Sequence, residues 1–333
     1  MFSKPIEFLA IGDITTDAFI KLKNAHIVDC VSHENREICL SFGDKIPYEF
    51  VTVIRAVGNS ANAAVAASRL GLTSALASNI GDDQNGRECL ESLKKDSVNT
   101  KFISVHKGME TNYHYVLWYN SERTILVKHH EFPRTFKAPS KNPKWVYLSS
   151  IGDNSYEYQM SVTEWLIKNP DIKLAFQPGT FQMNLGVEKL SGLYKRSDIF
   201  FCNKEEAQKI LNTEEKNILE LSKKIQNLGP KIVVISDGPN GAYLYLNDEL
   251  WHNPIYPDIS QPLDRTGAGD AFSATFTSAL ALGKTPLEAF SWGPINSMSV
   301  VQYVGAQKGL LSREKLEKYL KTAPENYKIT KIN

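Results

Sequence analysis

Cysteine is scarce and scattered: the four in this chain, Cys30, Cys39, Cys89 and Cys202, include no C-x-x-C pair. That spacing argues against a zinc site and fits a reducing compartment. An excess of one charge is also lacking. Lys plus Arg number 38 against 37 Asp plus Glu, a formal net charge of +1 with no basic block. Nothing in that balance favours nucleic acid or an anionic membrane surface as a partner. No apolar run approaches the ~20 residues that a membrane-spanning helix needs, and the apolar part of MFSKPIEFLAIGD is too short for a signal peptide. A soluble cytoplasmic protein is the expectation. Gly/Ser/Pro-rich linkers and internal repeats are absent too, so the 333 residues are expected to form one α/β unit over 1–333 rather than two. The last absence concerns phosphate binding. There is no G-x-x-x-x-G-K-S/T loop; GDDQNGRE comes nearest and lacks the lysine, so any phosphate must be held by other groups.

What is present is an alternation of strand-like and helix-like segments. Ile6 to Ile11 reads as a buried strand that delivers Asp13, and then Asp17, to a loop. LSFGDKIPYEFVTVI reads as a hairpin or small sheet outside the core. Gly58-Asn59-Ser60-Ala61-Asn62 opens a helix of small residues stopped at Gly71, with Asn59 or Ser60 as candidate N-cap and Asn62 as either a capping residue or a ligand contact. LTSALASNIG, KFISV, WVYLSS, IKLAFQP, DIFFCN, KIVVISDG and GAYLYLN read as further strands, with helices between many of them. That order implies a mostly parallel sheet covered by helices on both faces. TNYHYVLWYN and RTILVKHH interrupt it as a hairpin about Asn120-Ser121-Glu122, with Tyr113, Tyr115 and Tyr119 on one side and His114, Val116 and Trp118 on the other. One face could close over a ligand, or both could pack.

The stretch with most chemistry is Asp264-Arg265-Thr266-Gly267-Ala268-Gly269-Asp270, which opens the helix-like run AFSATFTSALALG. Ala271, Phe272, Thr275, Ala279 and Leu282 fall on one face of that run, and Gly283 ends it. Two glycines permit a tight turn that aims the N–H groups of Gly267, Ala268 and Gly269 at one point, an anion site beside the Asp270 carboxylate. Anion donors next to a base are what phosphoryl transfer to a hydroxyl requires. A dinucleotide turn wants a third glycine where Phe272 stands; an aspartate-capped glycine turn is the plainer alternative. In open α/β sheets ligands sit beyond the carboxyl ends of the strands. Asp13, Gly58-Asn59, Asn203 through Glu206, Asp237-Gly238 and the Gly267–Asp270 turn all follow strand-like segments.

These segments resemble the ribokinase-like (PfkB) carbohydrate kinases, in order and over nearly the whole chain, from about Phe8 to Tyr319. GDITTD resembles the family's first strand and loop, and VGNSANAAVAASRLG its N-terminal signature. NKEE resembles its Asn-x-x-Glu motif, VVISDGPNGA its nucleotide loop and DRTGAGDAF its C-terminal signature. The resemblance implies a three-layer α/β/α fold with a mostly parallel central sheet and a small β lid, inserted at about 18–54 and 111–130. It implies an ATP-dependent kinase acting on a sugar hydroxyl, or in a second version on a nucleoside. A remoter alternative is a ligand-binding protein that kept the fold without catalysis. By resemblance, Asp270 is the base, and Gly267, Ala268 and Gly269 hold the transferred phosphate. Glu206 positions Mg²⁺ through water, and Asn203 lies near the nucleotide phosphates. Ser236, Asp237, Gly238 and Gly241 line the nucleotide pocket. Asp13, Asp17, Gly58, Asn59 and Asn62 bind the acceptor. Asp264 is a candidate for a monovalent cation such as K⁺, and the lid for a homodimer contact. Three departures stand out: Val57 where many members have glycine, Arg265 where threonine is common, and Gly309 in place of a hydroxyl residue.

Overall fold

The structure is a computed structural model that describes residues 4–29, 36–120 and 122–332; Cys30 and Ser121, both part of the sequence reading, lie outside the described residues. The chain runs β1 (Phe8–Ile11), β2 (Thr15–Leu22), β3 (His26–Asp29), β4 (Arg36–Cys39), β5 (Tyr48–Val57), α1 (Asn59–Arg69), β6 (Ser74–Gly81), α2 (Gln84–Lys95), β7 (Asn99–His106), β8 (Tyr113–Tyr119) and β9 (Glu122–Leu126). It continues through β10 (Trp145–Leu148), α3 (Tyr156–Lys168), β11 (Lys173–Phe176), α4 (Thr180–Leu185), α5 (Ser191–Arg196), β12 (Ile199–Asn203), α6 (Lys204–Leu211), α7 (Ile218–Gln226), β13 (Ile232–Ser236), β14 (Ala242–Leu246) and β15 (Glu249–Asn253). It ends with α8 (Ala268–Ala281), α9 (Pro286–Val300), α10 (Arg313–Lys321) and β16 (Thr330–Lys331).

Ten strands form one sheet in the order β16-β15-β14-β13-β12-β11-β10-β1-β6-β7. From β7 to β13 every pairing is parallel, and β14, β15 and β16 add antiparallel. The parallel strands β1, β6 and β10 are buried at every position, because helices cover both faces. One apolar layer joins the sheet to α1, α8 and α9, with Ala61, Val65, Phe276, Phe290 and Trp292 in it. The other joins it to α3, α5 and α7 through Val162, Leu166, Leu193, Tyr194 and Leu221. A separate four-stranded sheet, β5-β2-β8-β9, stands over one end, and β3 and β4 form a two-stranded ribbon.

Four local expectations change. Asp17 lies within β2, opposite Ile54 of β5, rather than in a loop, so a strand fixes its direction. The N-cap of α1 is Gly58, at φ +108, and neither Asn59 nor Ser60 caps the helix; both point elsewhere. α8 is buried on nearly all sides because α9 and α1 pack on it as well as the sheet, so the single apolar face anticipated for it understates its burial. Helix α9 was not foreseen, since its nearly uniform apolar surface leaves no period to find. Its signal is the T-P-L-E start. Thr285 Oγ1 accepts from the Glu288 N–H at 3.3 Å, Glu288 Oε2 accepts from the Thr285 N–H at 2.8 Å, and Pro286 takes the first turn.

Candidate active site

α8 starts without a side-chain cap, behind Gly267 at φ +78. Among the described residues the N–H groups of Gly267 and Gly269 have no hydrogen-bond partner, while that of Ala268 turns back to the Arg265 carbonyl at 3.4 Å. The turn therefore offers two free donors and one weakly engaged one, rather than three free ones. A Cβ on Gly267 would lie 2.2 Å from the Ala306 Cβ, whereas one on Gly269 would meet nothing within 4 Å. The first glycine is demanded by backbone and packing. The second faces open space, where an incoming group has room.

Asp270 sits on the first turn of this helix, and three amides converge on its carboxylate. Asn59 Nδ2 donates to Oδ1 at 2.9 Å, Asn62 Nδ2 to Oδ2 at 2.9 Å and Gln177 Nε2 to Oδ1 at 3.3 Å. Two of these amides are oriented from behind. Gln307 Nε2 donates to Asn62 Oδ1 at 3.0 Å and to the Ala56 carbonyl at 2.7 Å, so the NH₂ of Asn62 must face Asp270. The Tyr147 hydroxyl and Ser273 Oγ both donate to Gln177 Oε1, with the same consequence. Burial pushes the Asp270 carboxyl above the usual carboxylate range, and Asn62, Gln177 and Asn59 pull part of the way back. The result is a more basic carboxylate beside an open helix N-terminus.

A cavity of about 340 Å³ opens on the other side of that N-terminus. Ser236, Gly238, Gly241, Ala268 and Gly269 line it, with an apolar wall of Ile255, Phe272, Pro294, Met298 and Val301. Asp237 is not part of the lining. Its carboxylate accepts from Asn240 Nδ2 at 3.1 Å and lies 3.6 Å from Lys204 Nζ, so it serves its own turn. Asn203 is the last residue of β12, in register with Ser236. Its first role is structural: Asn203 Oδ1 accepts from the Glu206 N–H at 2.7 Å, and Glu206 Oε2 accepts from the Asn203 N–H at 2.8 Å, a reciprocal cap on α6. Glu206 Oε1 has no partner among the described residues. Burial raises the Glu206 carboxyl; the Asn203 N–H opposes it, and the Asp270 and Glu205 charges add to it. The Asp270 charge is thus felt at Glu206.

Beyond Asp270 lie the carboxylates assigned to an acceptor. Asp13 is buried and held by Arg134 through two bonds, of 2.6 and 2.9 Å, and by the Gly152 N–H at 2.8 Å. Burial alone would raise its carboxyl, but the adjacent His129 ring, Arg134 and Gly152 hold it below the ordinary range. Gly58 contributes backbone shape rather than a donor: a Cβ there would lie 2.7 Å from the Asp13 carbonyl. Asp17 faces His114, its cross-strand neighbour on β8, at 3.3 Å. The face of β8 turned to the site therefore carries His114 and the buried Val116. Tyr113, Tyr115 and Tyr119 project from the opposite face, where Tyr115 is 49% exposed.

Asp264 is enclosed by protein donors. Its Oδ1 accepts from Arg123 of β9 and from the N–H and hydroxyl of Thr266, at 2.9 and 2.6 Å, and its Oδ2 accepts from the Gly305 N–H at 2.8 Å. A lid guanidinium supplies the positive charge beside it, so the Asp264 carboxylate does not fit a monovalent cation at Oδ1. A side chain at position 309 would come within 2.4 Å of the Ser299 carbonyl, so no hydroxyl residue can stand there. Arg134, His129, Gln177, Gln307 and Arg123 carry no assignment from sequence, and His114 only its place on one face of the hairpin. Only Gln177 carried a visible signal, its place at the carboxyl end of a strand.

Site and sheet together define a phosphotransferase architecture. The profile of the pfkB family carbohydrate kinases matches residues 27–313. This chain belongs to that family and is a phosphotransferase. An ATP-dependent 6-phosphofructokinase of Thermoanaerobacterium thermosaccharolyticum is 27% identical over 264 residues, 75% of this chain and 80% of that protein. The Arabidopsis thaliana ribokinase complexed with ribose and ATP superposes with a TM-score of 0.80 at 20% identity, over 96% of this chain and 99% of that one. The nucleoside kinase of Methanocaldococcus jannaschii gives 0.75 at 18%, over 95% and 99%. No helix among the described residues is long and apolar enough to cross a membrane.

Proposed function

We propose that the protein transfers the γ-phosphoryl group of ATP to a hydroxyl of a sugar, with Asp270 as general base. The observation that carries this reading is the amide-locked Asp270 carboxylate directly beside the uncapped start of α8. The acceptor hydroxyl gives its proton to Asp270 as it attacks. The Gly267 and Gly269 N–H groups, with Ala268, hold the equatorial oxygens of the moving phosphoryl group. ATP fits the cavity of about 340 Å³, its base against Ile255, Pro294 and Met298, with Ser236, Gly238 and Gly241 along its path to the turn. Asn203 Nδ2, which donates to no partner among the described residues and is left free by the cap, belongs to the residue paired with Ser236 in the sheet.

Mg²⁺ is the metal this family implies. Among the described residues no group of three His, Cys, Asp or Glu side chains could hold a metal directly. Glu206 keeps one carboxylate oxygen free and is raised by burial, which a neighbouring cation would relieve. That fits an ion carried by the triphosphate and touched by Glu206 through water. A bound Mg²⁺ would neutralise the charge of the triphosphate. Glu206→Gln is expected to raise the Mg²⁺ concentration for half-maximal rate about 10-fold, the lower end for loss of an outer-shell partner. An unchanged Mg²⁺ titration would remove Glu206 from this role.

The reading itself is tested by ADP release across neutral hexoses, pentoses and nucleosides. A sugar acceptor is favoured over a nucleoside because the lid tyrosines that would stack on a base lie on the face turned from Asp17 and His114. The lid also supports a homodimer. Phe50, Val51 and Val53 of β5 and Ile125 and Leu126 of β9 are each at least 41% exposed, and they sit on the outer strands of a sheet whose outer edges pair with no further strand among the described residues. Light scattering at micromolar concentration is expected to give the mass of two chains, falling to one for Val53→Asp. A wild-type monomer would sink the pairing.

A further inference from the structure

Phosphoryl transfer from ATP, as drawn above, leaves a set of buried polar atoms beside Asp13 and Asp17 unused. His114 Nε2 is buried without any polar partner; Asp17 Oδ1 and His129 Nδ1, also buried, make no well-formed hydrogen bond and have only loose contacts, Asp17 Oδ1 to His114 Nδ1 at 3.3 Å and His129 Nδ1 to Asp13 Oδ2 at 3.4 Å. An unpaired buried donor or acceptor is costly, and three at one place indicate a group yet to arrive. The two imidazoles lie with centroids 5.1 Å apart and planes tilted by 46°, and Phe181 packs edge-on against His129 at 5.4 Å.

Contacts among these side chains return to Asp270. His129 lies 3.4 Å from Asp13, and the Asp13 carbonyl backs Gly58. Asn59, next in the chain, holds Asp270, as does Gln177, four residues before Phe181. The unpaired atoms therefore belong to the ring around the base. Charge in that ring is one-sided: the Asp13, Asp17 and Asp270 carboxylates against one guanidinium. That guanidinium, Arg134, has a side chain 3% exposed and is engaged by both oxygens of Asp13 and by Asn154 Oδ1. The lid's Arg123 is committed to Asp264, while Arg55 holds Glu88 through Nε and keeps Nη1 buried without a partner.

We propose that His114 and His129, set against Asp17 and Asp13, bind the acceptor and select an uncharged polyhydroxy compound over one that carries a phosphate or carboxylate. This rests on the kinase reading and narrows its substrate class. A hydroxyl can donate to a carboxylate oxygen and accept from an imidazole N–H at once. It thus satisfies Asp17 Oδ1 and a neighbouring ring nitrogen together. A phosphate or carboxylate only accepts, and would face three like charges.

The test is ADP release at pH 8 with D-ribose, D-fructose and inosine as neutral acceptors and D-fructose 6-phosphate and D-gluconate as anionic ones. The best neutral acceptor is expected to exceed both anionic ones in kcat/KM by about 100-fold, the scale of a like-charge mismatch. With that acceptor, His114→Phe and His129→Phe, which keep ring volume, are expected to raise its KM about 3- to 10-fold, the loss of one hydrogen bond. KM for ATP should stay within about twofold, and His114→Gln, whose amide restores a polar group near Nε2, should recover most of the affinity. Equal or better turnover of either anionic compound, or an unchanged acceptor KM in both phenylalanine variants, overturns the inference and leaves the kinase reading standing. No turnover of any of the five overturns both.

Discussion

Asp270→Asn is expected to lower turnover by about 10²–10⁴-fold, the usual contribution of a general base, while ATP affinity measured by calorimetry stays within a few-fold. The reason lies in the amides around the carboxylate. Asn59, Asn62 and Gln177 all present N–H donors, and Gln307, Tyr147 and Ser273 hold two of them in that orientation. They fix the carboxylate without taking its basicity, because burial outweighs them and leaves the carboxyl raised. Only the ionised form can accept a proton, so kcat/KM should fall with acid through a limb that lies above the ordinary carboxylate value. Asn62→Leu removes a donor to the charged form, which raises the carboxyl further; the acid limb should then move toward neutral pH. An asparagine at 270 also sets its own NH₂ against a donor, so Asp270→Ala serves as a second variant free of that mismatch. Near-wild-type turnover in both, on an acceptor the wild type phosphorylates, would remove Asp270 from the chemistry.

The parallel core was legible because strands covered on both faces are written as short apolar runs, and FLAI, WVYL and IFFCN are buried almost throughout. The turn before α8 was legible for a different reason: two glycines just ahead of a helix-like run mark a tight backbone turn, and Gly267 takes it at φ +78. What the sequence hides is anything that depends on the meeting of distant segments. Arg134 reaches Asp13 across 121 residues of chain and Gln307 reaches Asn62 across 245, and no local pattern marks either. Asp237 shows the opposite error. It follows a strand as a site residue should, yet it is spent on its own turn, because an aspartate at a strand end satisfies backbone and neighbours as readily as a ligand. Asn203 and Glu206 carry both meanings at once, since the capping box that starts α6 leaves one oxygen of Glu206 and the amide nitrogen of Asn203 unspent.

Gly267→Ala should cost about 10²–10³-fold in kcat, the loss associated with a displaced oxyanion donor. Two effects add at this position. The residue sits at φ +78, where a side chain costs about 1–2 kcal/mol. The new methyl group would also lie 2.2 Å from the Ala306 Cβ and 2.7 Å from its Cα, so the turn must move. Movement there redirects the Gly267 and Gly269 N–H groups, whose alignment is needed only when charge develops on the phosphoryl oxygens. KM for the acceptor should therefore change little. Gly283→Ala separates the two effects, for it shares the backbone strain, at φ +87, but meets nothing within 4 Å and lies at the far end of α8. It should lower thermal stability comparably and leave kcat intact. Restoring room with Ala306→Gly in the Gly267→Ala background should recover part of the lost rate. If Gly267→Ala alone stays within about threefold of wild type, a shift too small for the loss of such a donor, then the start of α8 does not hold the transferring group and the phosphate must be bound elsewhere.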